Sequence, residues 1–137
     1  VVIDHSPDRF TALRAAGFVG FYGDATRPDL LESAGAARAA VLVIALDDPE
    51  ASADLLKRVR REYPHLSVLA RAVGTDDEHR LLRDGADRAY SETFETALLI
   101  GEDVLEMVGV SPLDAQALAE SFRDAALESQ PSPVTRD

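Results

Sequence analysis

The chain opens on a short apolar run, Val1 to Ile3, that ends in the carboxylate of Asp4 and leads at once into a capped helix start, Ser6-Pro7-Asp8. A strand closed by an acid and followed by a helix is the pattern of the second strand of a dinucleotide-binding unit, in which the acid accepts hydrogen bonds from a ribose. The pyrophosphate of such a unit is held one βα step earlier, on a Gly-x-Gly-x-x-Gly turn. Neither that turn nor a first strand precedes Val1 in the sequence as given. Asp4 is therefore expected to form half of a nucleotide site whose phosphate-cradling half lies outside it.

The alternation continues. Apolar runs at Phe18 to Tyr22, Val41 to Leu46 and Leu66 to Ala70 are separated by polar stretches of helical period, and Asp87 to Tyr90 reads as a last short strand. Strands bounded by helices in this way indicate βαβ units and a parallel sheet. The expected fold class is α/β: a Rossmann-like, doubly wound parallel sheet in three α/β/α layers. Helix limits are marked in the sequence. Ser6 and Pro7 open a helix with Phe10, Leu13 and Ala16 on one face, and Gly17 ends it; 27–34 is a short helix closed by Gly35. Asp48 and Pro49 open a helix that Pro64 stops, with Leu55, Leu56, Val59 and Tyr63 turned inward and Lys57, Arg58, Arg60 and Arg61 as its solvated face. Residues 76–83 form a helix stopped by Gly85.

Phe94, Ala97, Leu98, Gly101, Val104, Leu105 and Val108 then recur at helical spacing, and a long amphipathic helix has to bury that face. Ser111, followed by Pro112 and by Asp114, starts a further helix over 115–127, and the Ser/Pro-rich end, 128–137, is expected to be disordered.

With 137 residues, the chain is long enough to bury a core. A net charge of −11 ranks nucleic acid and anionic membranes low as partners, because both require positive potential. There is no cysteine, hence no disulfide frame or thiolate chemistry, and no apolar run approaches the roughly 18 to 20 residues that span a bilayer. In the strand order 3-2-1-4-5-6 of a dinucleotide-binding sheet, a missing first strand leaves two apolar edges open. The chain is expected to fold well only if another segment fills that gap.

Ligands of open parallel sheets bind beyond the carboxyl ends of the strands. The residues there are Asp4 and His5, Gly23 to Thr26, Asp47 and Asp48, Arg71, and Ser91 with Glu92. Asp4 suits a ribose, or else caps the helix that follows. Asp24 suits an amine such as that of adenine, or else sits in a tight turn. Asp47 is a ligand candidate, whereas Asp48 is a cap. Arg71 pairs with one of these carboxylates or faces an anion. No nucleophile elbow, His-Glu-x-x-His, Walker lysine or ligand spacing among His5, His65 and His79 assembles a reaction.

Taken together, Asp4-His5-Ser6-Pro7-Asp8, Phe21-Tyr22-Gly23-Asp24-Ala25-Thr26, Leu30-Leu31-Glu32-Ser33-Ala34-Gly35-Ala36, Asp47-Asp48-Pro49 and Ala70-Arg71-Ala72 resemble the nucleotide-binding regulatory domain of potassium transporters, known as RCK-N, KTN or TrkA-N. The run from Tyr22 to Ala36 and the stretch Pro64-His65-Leu66 look most like its glutathione-regulated potassium-efflux (Kef) branch. The resemblance covers Val1 to Leu127. It implies a nucleotide-binding domain at 1–92, interface helices at 93–127 and a tail at 128–137.

It further implies a cytoplasmic domain of an inner (plasma) membrane cation/proton antiporter that binds NAD(H) or AMP, forms a homodimer and gates potassium efflux through the transmembrane portion of the same parent protein. The cofactor-binding positions it implies are Asp4, His5, Asp24, Ala25, Thr26, Leu46, Asp47 and Arg71. Glutathione or its adducts bind at a domain interface in that branch, with Arg83 in the matching region, and a flavin-type ancillary protein binds in some of its systems. The resemblance also implies that the long helix from Phe94 crosses to a partner subunit. Two other classes are weighed against this one. An NAD-dependent oxidoreductase fragment needs a substrate domain that the residues after 92 are too few to supply. A receiver-like phosphorylation domain has support only in Asp47-Asp48 and carries Arg71 where its lysine belongs.

Overall fold

The computed structural model describes residues 1–130. In chain order the elements are β1 (Val2–Asp4), α1 (Pro7–Ala15), β2 (Gly20–Tyr22), α2 (Pro28–Ser33), a 3-10 turn (Ala36–Arg38), β3 (Val41–Ile44), α3 (Pro49–Glu62), β4 (Ser67–Ala72), α4 (Thr75–Arg83), β5 (Arg88–Ser91), α5 (Phe94–Met107) and α6 (Pro112–Ser129). The expected α/β, Rossmann-like class is what forms: helices separate successive strands, and β1–β2 and β4–β5 run parallel. β1 and β2 make one sheet, and β3, β4 and β5, in that order, make a second.

The chain divides into two compact units, Val1–Leu42 with Arg58–Ser67, and Val43–Lys57 with Val68 onward. In the first, β1 and β2 pair in the register Val2 with Gly20, Ile3 with Phe21 and Asp4 with Tyr22. Their sheet faces the Phe10 ring of α1, which lies 5.7 Å from the Tyr22 ring. Gly20 lets the ring approach closely: a Cβ would stand 3.1 Å from Phe10 Cε2, so the ring would have to shift to admit one. Phe10 and Leu13 are half-buried, but Ala16 is exposed and α1 buries no residue fully. The buried apolar side chains of this unit are Leu31, Ala36, Val59 and Leu66, none of them on its sheet. β2 begins only at Gly20: the Phe18 N–H closes the end of α1 on the Leu13 carbonyl at 3.0 Å, the Val19 carbonyl accepts a ladder bond from the Val2 N–H at 3.0 Å, and both side chains are exposed.

In the second unit, β4 alternates: Val68, Ala70 and Ala72 are buried, with Ile44, Leu55, Leu56, Leu81, Leu82 and Ala89 also in the core. β4 runs to Ala72, so Arg71 lies within the strand, opposite Tyr90, rather than after it. Asp48 caps α3 as expected, its Oδ1 accepting from the Glu50 N–H at 2.9 Å and the Ala51 N–H at 3.3 Å. Arg80 of α4 ties the start of α3 to its own first turn, donating to the Pro49 carbonyl at 2.9 Å, to Asp77 at 2.9 Å and to Glu50.

Two expectations are corrected, in α3 and in α6. The basic face of α3 is not uniformly solvated. Lys57 and Arg61 are exposed, but Arg60 donates to the Leu66 carbonyl at 2.7 Å, and the Nε and Nη2 atoms of Arg58 are buried without a hydrogen-bond partner among the described residues. The apolar stripe of α5 is only partly covered. Phe94, Leu98 and Leu105 are half-buried, while Ala97, Gly101, Val104 and Val108 are exposed, because α6 folds back on α5 through the small buried residues Ala115 and Ala119 and leaves the rest of the face open. Finally, α6 continues through Glu128 and Ser129, since Ser129 Oγ and the Gln130 N–H cap its last carbonyls at 2.8 and 3.2 Å; residues 131–137 of the tail lie outside the described residues.

Candidate functional site

In the first unit the parallel pairing of β1 and β2 brings their carboxyl ends, Asp4 with His5 and Asp24 with Ala25 and Thr26, onto one rim. The Gly23 N–H bonds the Asp4 carbonyl at 3.0 Å and extends the ladder by one residue. Gly23 holds a φ of +152°, and a Cβ there would come within 2.9 Å of Leu30, so the turn that presents Asp24 depends on glycine.

The two carboxylates differ in what already occupies them. Asp4 Oδ1 accepts from the Ser6 N–H at 2.7 Å, and Oδ2 accepts from Arg9 Nε at 2.9 Å. The Arg9 guanidinium, then the Ser6 N–H, hold its carboxyl below the usual range. Asp4 therefore supports the helix start together with the Ser6 cap, and each oxygen retains a further lone-pair direction. Asp24 spends one oxygen on its own turn. Oδ1 accepts from the Thr26 N–H at 2.8 Å and from the Thr26 hydroxyl at 2.7 Å, which lowers its pKa, and Oδ2 carries no hydrogen bond among the described residues. An exposed, ionised oxygen fixed in direction by its partner atom is suited to accept from an amine or hydroxyl. Arg9 is a rim residue that sequence reasoning missed. The signal available was an arginine one helical turn after the cap.

In the second unit the rim is built around Arg71. Its Nη2 donates to Asp47 Oδ1 at 2.7 Å and to the Ala45 carbonyl at 3.0 Å, and its Nη1 to Glu92. Asp47 and Glu92 raise the arginine's pKa. Of the two open readings, the structure takes the pairing with carboxylates. Leu46, beside Asp47, is half-buried.

The second unit also encloses a cavity of about 520 Å³ between α4, β5, α5 and α6, lined by Leu82, Ala89, Tyr90, Phe94 and Leu127 and by the polar groups of Glu78, His79, Arg88, Arg123 and Gln130. Glu78 is nearly sealed, at 8% exposure, and its carboxyl accepts from Gln130 Nε2 at 2.6 Å. Burial raises its pKa in spite of a hydrogen bond with the Ser91 backbone. Arg123 is held in a two-pronged pair by Glu95, at 3.0 and 2.8 Å. Arg83 is exposed at the end of α4 and is not among the lining residues. The arginines of this cavity are Arg88 and Arg123, which sequence reasoning did not single out. Arg123, Ala126, Leu127 and Gln130 share a helical face, but only the return of α6 onto α4 and β5 turns that face into a wall.

Comparison with known proteins supplies the family. The chain is 48% identical over 123 residues to the glutathione-regulated potassium-efflux system protein KefC of Escherichia coli O139:H28, a match covering 90% of this chain and 20% of that protein. The chain thus spans about a fifth of the length of the curated relatives it matches. Its structure superposes on the Shewanella denitrificans Kef CTD in its AMP-bound form with a TM-score of 0.78 and 30% identity, over 93% of this chain and 92% of that one. It shares the fold of the TrkA-N domain of the inner membrane protein ybaL from Escherichia coli, with a TM-score of 0.65 and 22% identity over 72% of this chain and 74% of that one. The TrkA-N domain model matches residues 1–92, and the chain belongs to the TrkA-N domain family.

Proposed function

We propose that the chain is a non-catalytic, ligand-sensing regulatory domain of a potassium-efflux (K+/H+ antiport) system, on the cytoplasmic side of the membrane, that binds an adenine nucleotide and passes its presence to transport. The observation that carries this reading is the likeness, along nearly the whole of both chains, to a Kef domain solved with AMP. The rim of the first unit fits such a ligand. Asp24 Oδ2 offers an acceptor for the adenine amine, Asp4 an acceptor for ribose hydroxyls, and His5, Ala25 and Thr26 complete the wall. No Gly-x-Gly-x-x-Gly run occurs in the sequence, so phosphate contacts are not assigned to its residues. On the rim of the second unit, Leu46 and Asp47 are the remaining cofactor positions, with Arg71 bound to Asp47.

A ligand gates transport only through a difference in its affinity for two states. The exposed apolar residues of α5 and α6, among them Leu99, Ile100, Met107 and Phe122, suit a second copy of the chain, and the transport pore belongs to the remainder of the parent protein. The cavity lined by Arg88, Arg123 and Phe94 is the place in this chain for a second, larger anionic ligand such as glutathione or its adducts, with Arg83 outside it. A flavin-type ancillary protein is a further partner on the same reading.

The test is calorimetric titration of the whole chain with AMP and with NADH. Losing a hydrogen bond to a charged group amounts to about 1.5–3 kcal/mol, so Asp24→Asn is expected to weaken AMP about 10- to 100-fold. Failure of wild-type chain to bind either nucleotide overturns the reading.

A further inference from the structure

Arg71 joins parts of the second unit that are distant in sequence. It stands on β4 opposite Tyr90 of β5, and its guanidinium reaches both the segment leaving β3, at Ala45 and Asp47, and the segment leaving β5, at Glu92. The Glu92 N–H continues the strand pairing by bonding the Ala72 carbonyl at 2.9 Å. The next residue, Thr93, accepts a helical bond of α5 from the Ala97 N–H at 2.9 Å. One cation therefore fastens the exit of β3 to the entry of α5. The planar fork of arginine directs separate N–H groups at both carboxylates, which a lysine ammonium does as a point charge only.

We propose that Arg71 is a positioning residue that ties Asp47 to the first turn of α5, so that a ligand occupying Asp47 is registered at α5. This rests on the reading of Asp47 as a cofactor position. A ligand hydroxyl donating to Asp47 competes with Arg71 Nη2 for the same oxygen, and the guanidinium redistributes its hydrogen bonds toward Glu92 and the Ala45 carbonyl. The helix so addressed carries the exposed residues Leu99, Ile100, Val104 and Met107, making its entry a point from which a change on the rim reaches an open apolar surface of the unit. Arg71 acts here through Asp47 and Glu92 and does not itself hold a phosphate.

Amide hydrogen exchange of the whole chain, read at residues 92–98 with and without AMP, tests the tie in wild type, Arg71→Gln and Arg71→Lys. Without ligand, Arg71→Gln is expected to speed exchange in that segment at least about fivefold, with Arg71→Lys intermediate. AMP is expected to change exchange there about fivefold in wild type, the lower end of usual coupling, and to leave Arg71→Gln unmoved. An equal AMP response in both, or unchanged ligand-free exchange in Arg71→Gln, overturns the proposal.

AMP and adenosine are titrated on the same samples. A larger loss for AMP than for adenosine in Arg71→Gln makes Arg71 a phosphate contact and also overturns it. If wild type binds no AMP, the nucleotide reading and the ligand half of this proposal fail together, and the ligand-free comparison still decides the tie. Asp47→Asn, which weakens the tie from its other end, takes the place of Arg71→Gln if that variant does not fold.

Discussion

The two units of this chain bury their sheets unequally. Every residue of β1 is only half-buried and none of β2 is buried, whereas β4 buries Val68, Ala70 and Ala72 and lies between two strands. The first unit draws its buried apolar residues from α2, the 3-10 turn and the segment 58–67 rather than from the strands that carry Asp4 and Asp24. A pair of short strands is marginal by itself, whereas three strands with an apolar face are not. The lesson concerns function. The rim proposed to hold adenosine sits on the least buried sheet, so ligand binding has most stability to contribute there, while the second unit supplies a firm base for α5 and α6.

The largest test of this contrast is truncation. Leu56, fully buried in the second unit, is expected to cost about 2–5 kcal/mol as Leu56→Ala, and the half-buried Ile3 about 1–2 kcal/mol as Ile3→Ala, both read from urea unfolding. Equal losses break the comparison. Hydrogen exchange sharpens it: the amides of β1 and β2 are expected to exchange more than about tenfold faster than those of β4 and β5, and AMP is expected to narrow that gap.

A smaller effect is expected at Glu78. Its folded pKa is raised, so the stability tied to its protonated form is present in acid and is lost as pH rises from the ordinary glutamate value of 4.5 through the folded value. Glu78→Gln is expected to flatten that decline and to raise the unfolding free energy at neutral pH by at most about 1 kcal/mol. The opposite sign holds at Asp24, whose folded pKa is lowered. Its contribution is present above the ordinary value of 3.8 and fades as pH falls through the lowered one, so Asp24→Asn is expected to shrink the acid limb of the stability profile. Least of all, Arg27→Ala removes an exposed pair with Asp29 and is expected to leave the unfolding midpoint where it was.

Much of the architecture was legible in the residues because it rests on local chemistry. Ser6, Asp48 and Ser111 cap the helices they were expected to cap, and Gly17, Gly35 and Gly85 all take positive φ at helix ends. The alternation of strand and helix pointed to parallel pairing before any geometry. What was not legible depends on contacts distant in sequence. Nothing near Arg71 says that its partners are Asp47 and Glu92, respectively 24 and 21 residues away. Arg58 and Arg60 look like a solvated basic face until the Leu66 carbonyl is brought to Arg60. The cavity wall of α6 depends on a helix hairpin that no periodicity announces, so nothing in the sequence marks Arg88 and Arg123 as neighbours.

The claim on which the rest depends is that an adenine nucleotide sits on the rim of the first unit. A crystal structure of the whole chain grown with AMP tests it most directly. The account expects the adenine amine to donate to Asp24 Oδ2 and a ribose hydroxyl to donate to Asp4. AMP found instead in the cavity beside Arg88 and Arg123, with the Asp4 and Asp24 rim vacant, contradicts it.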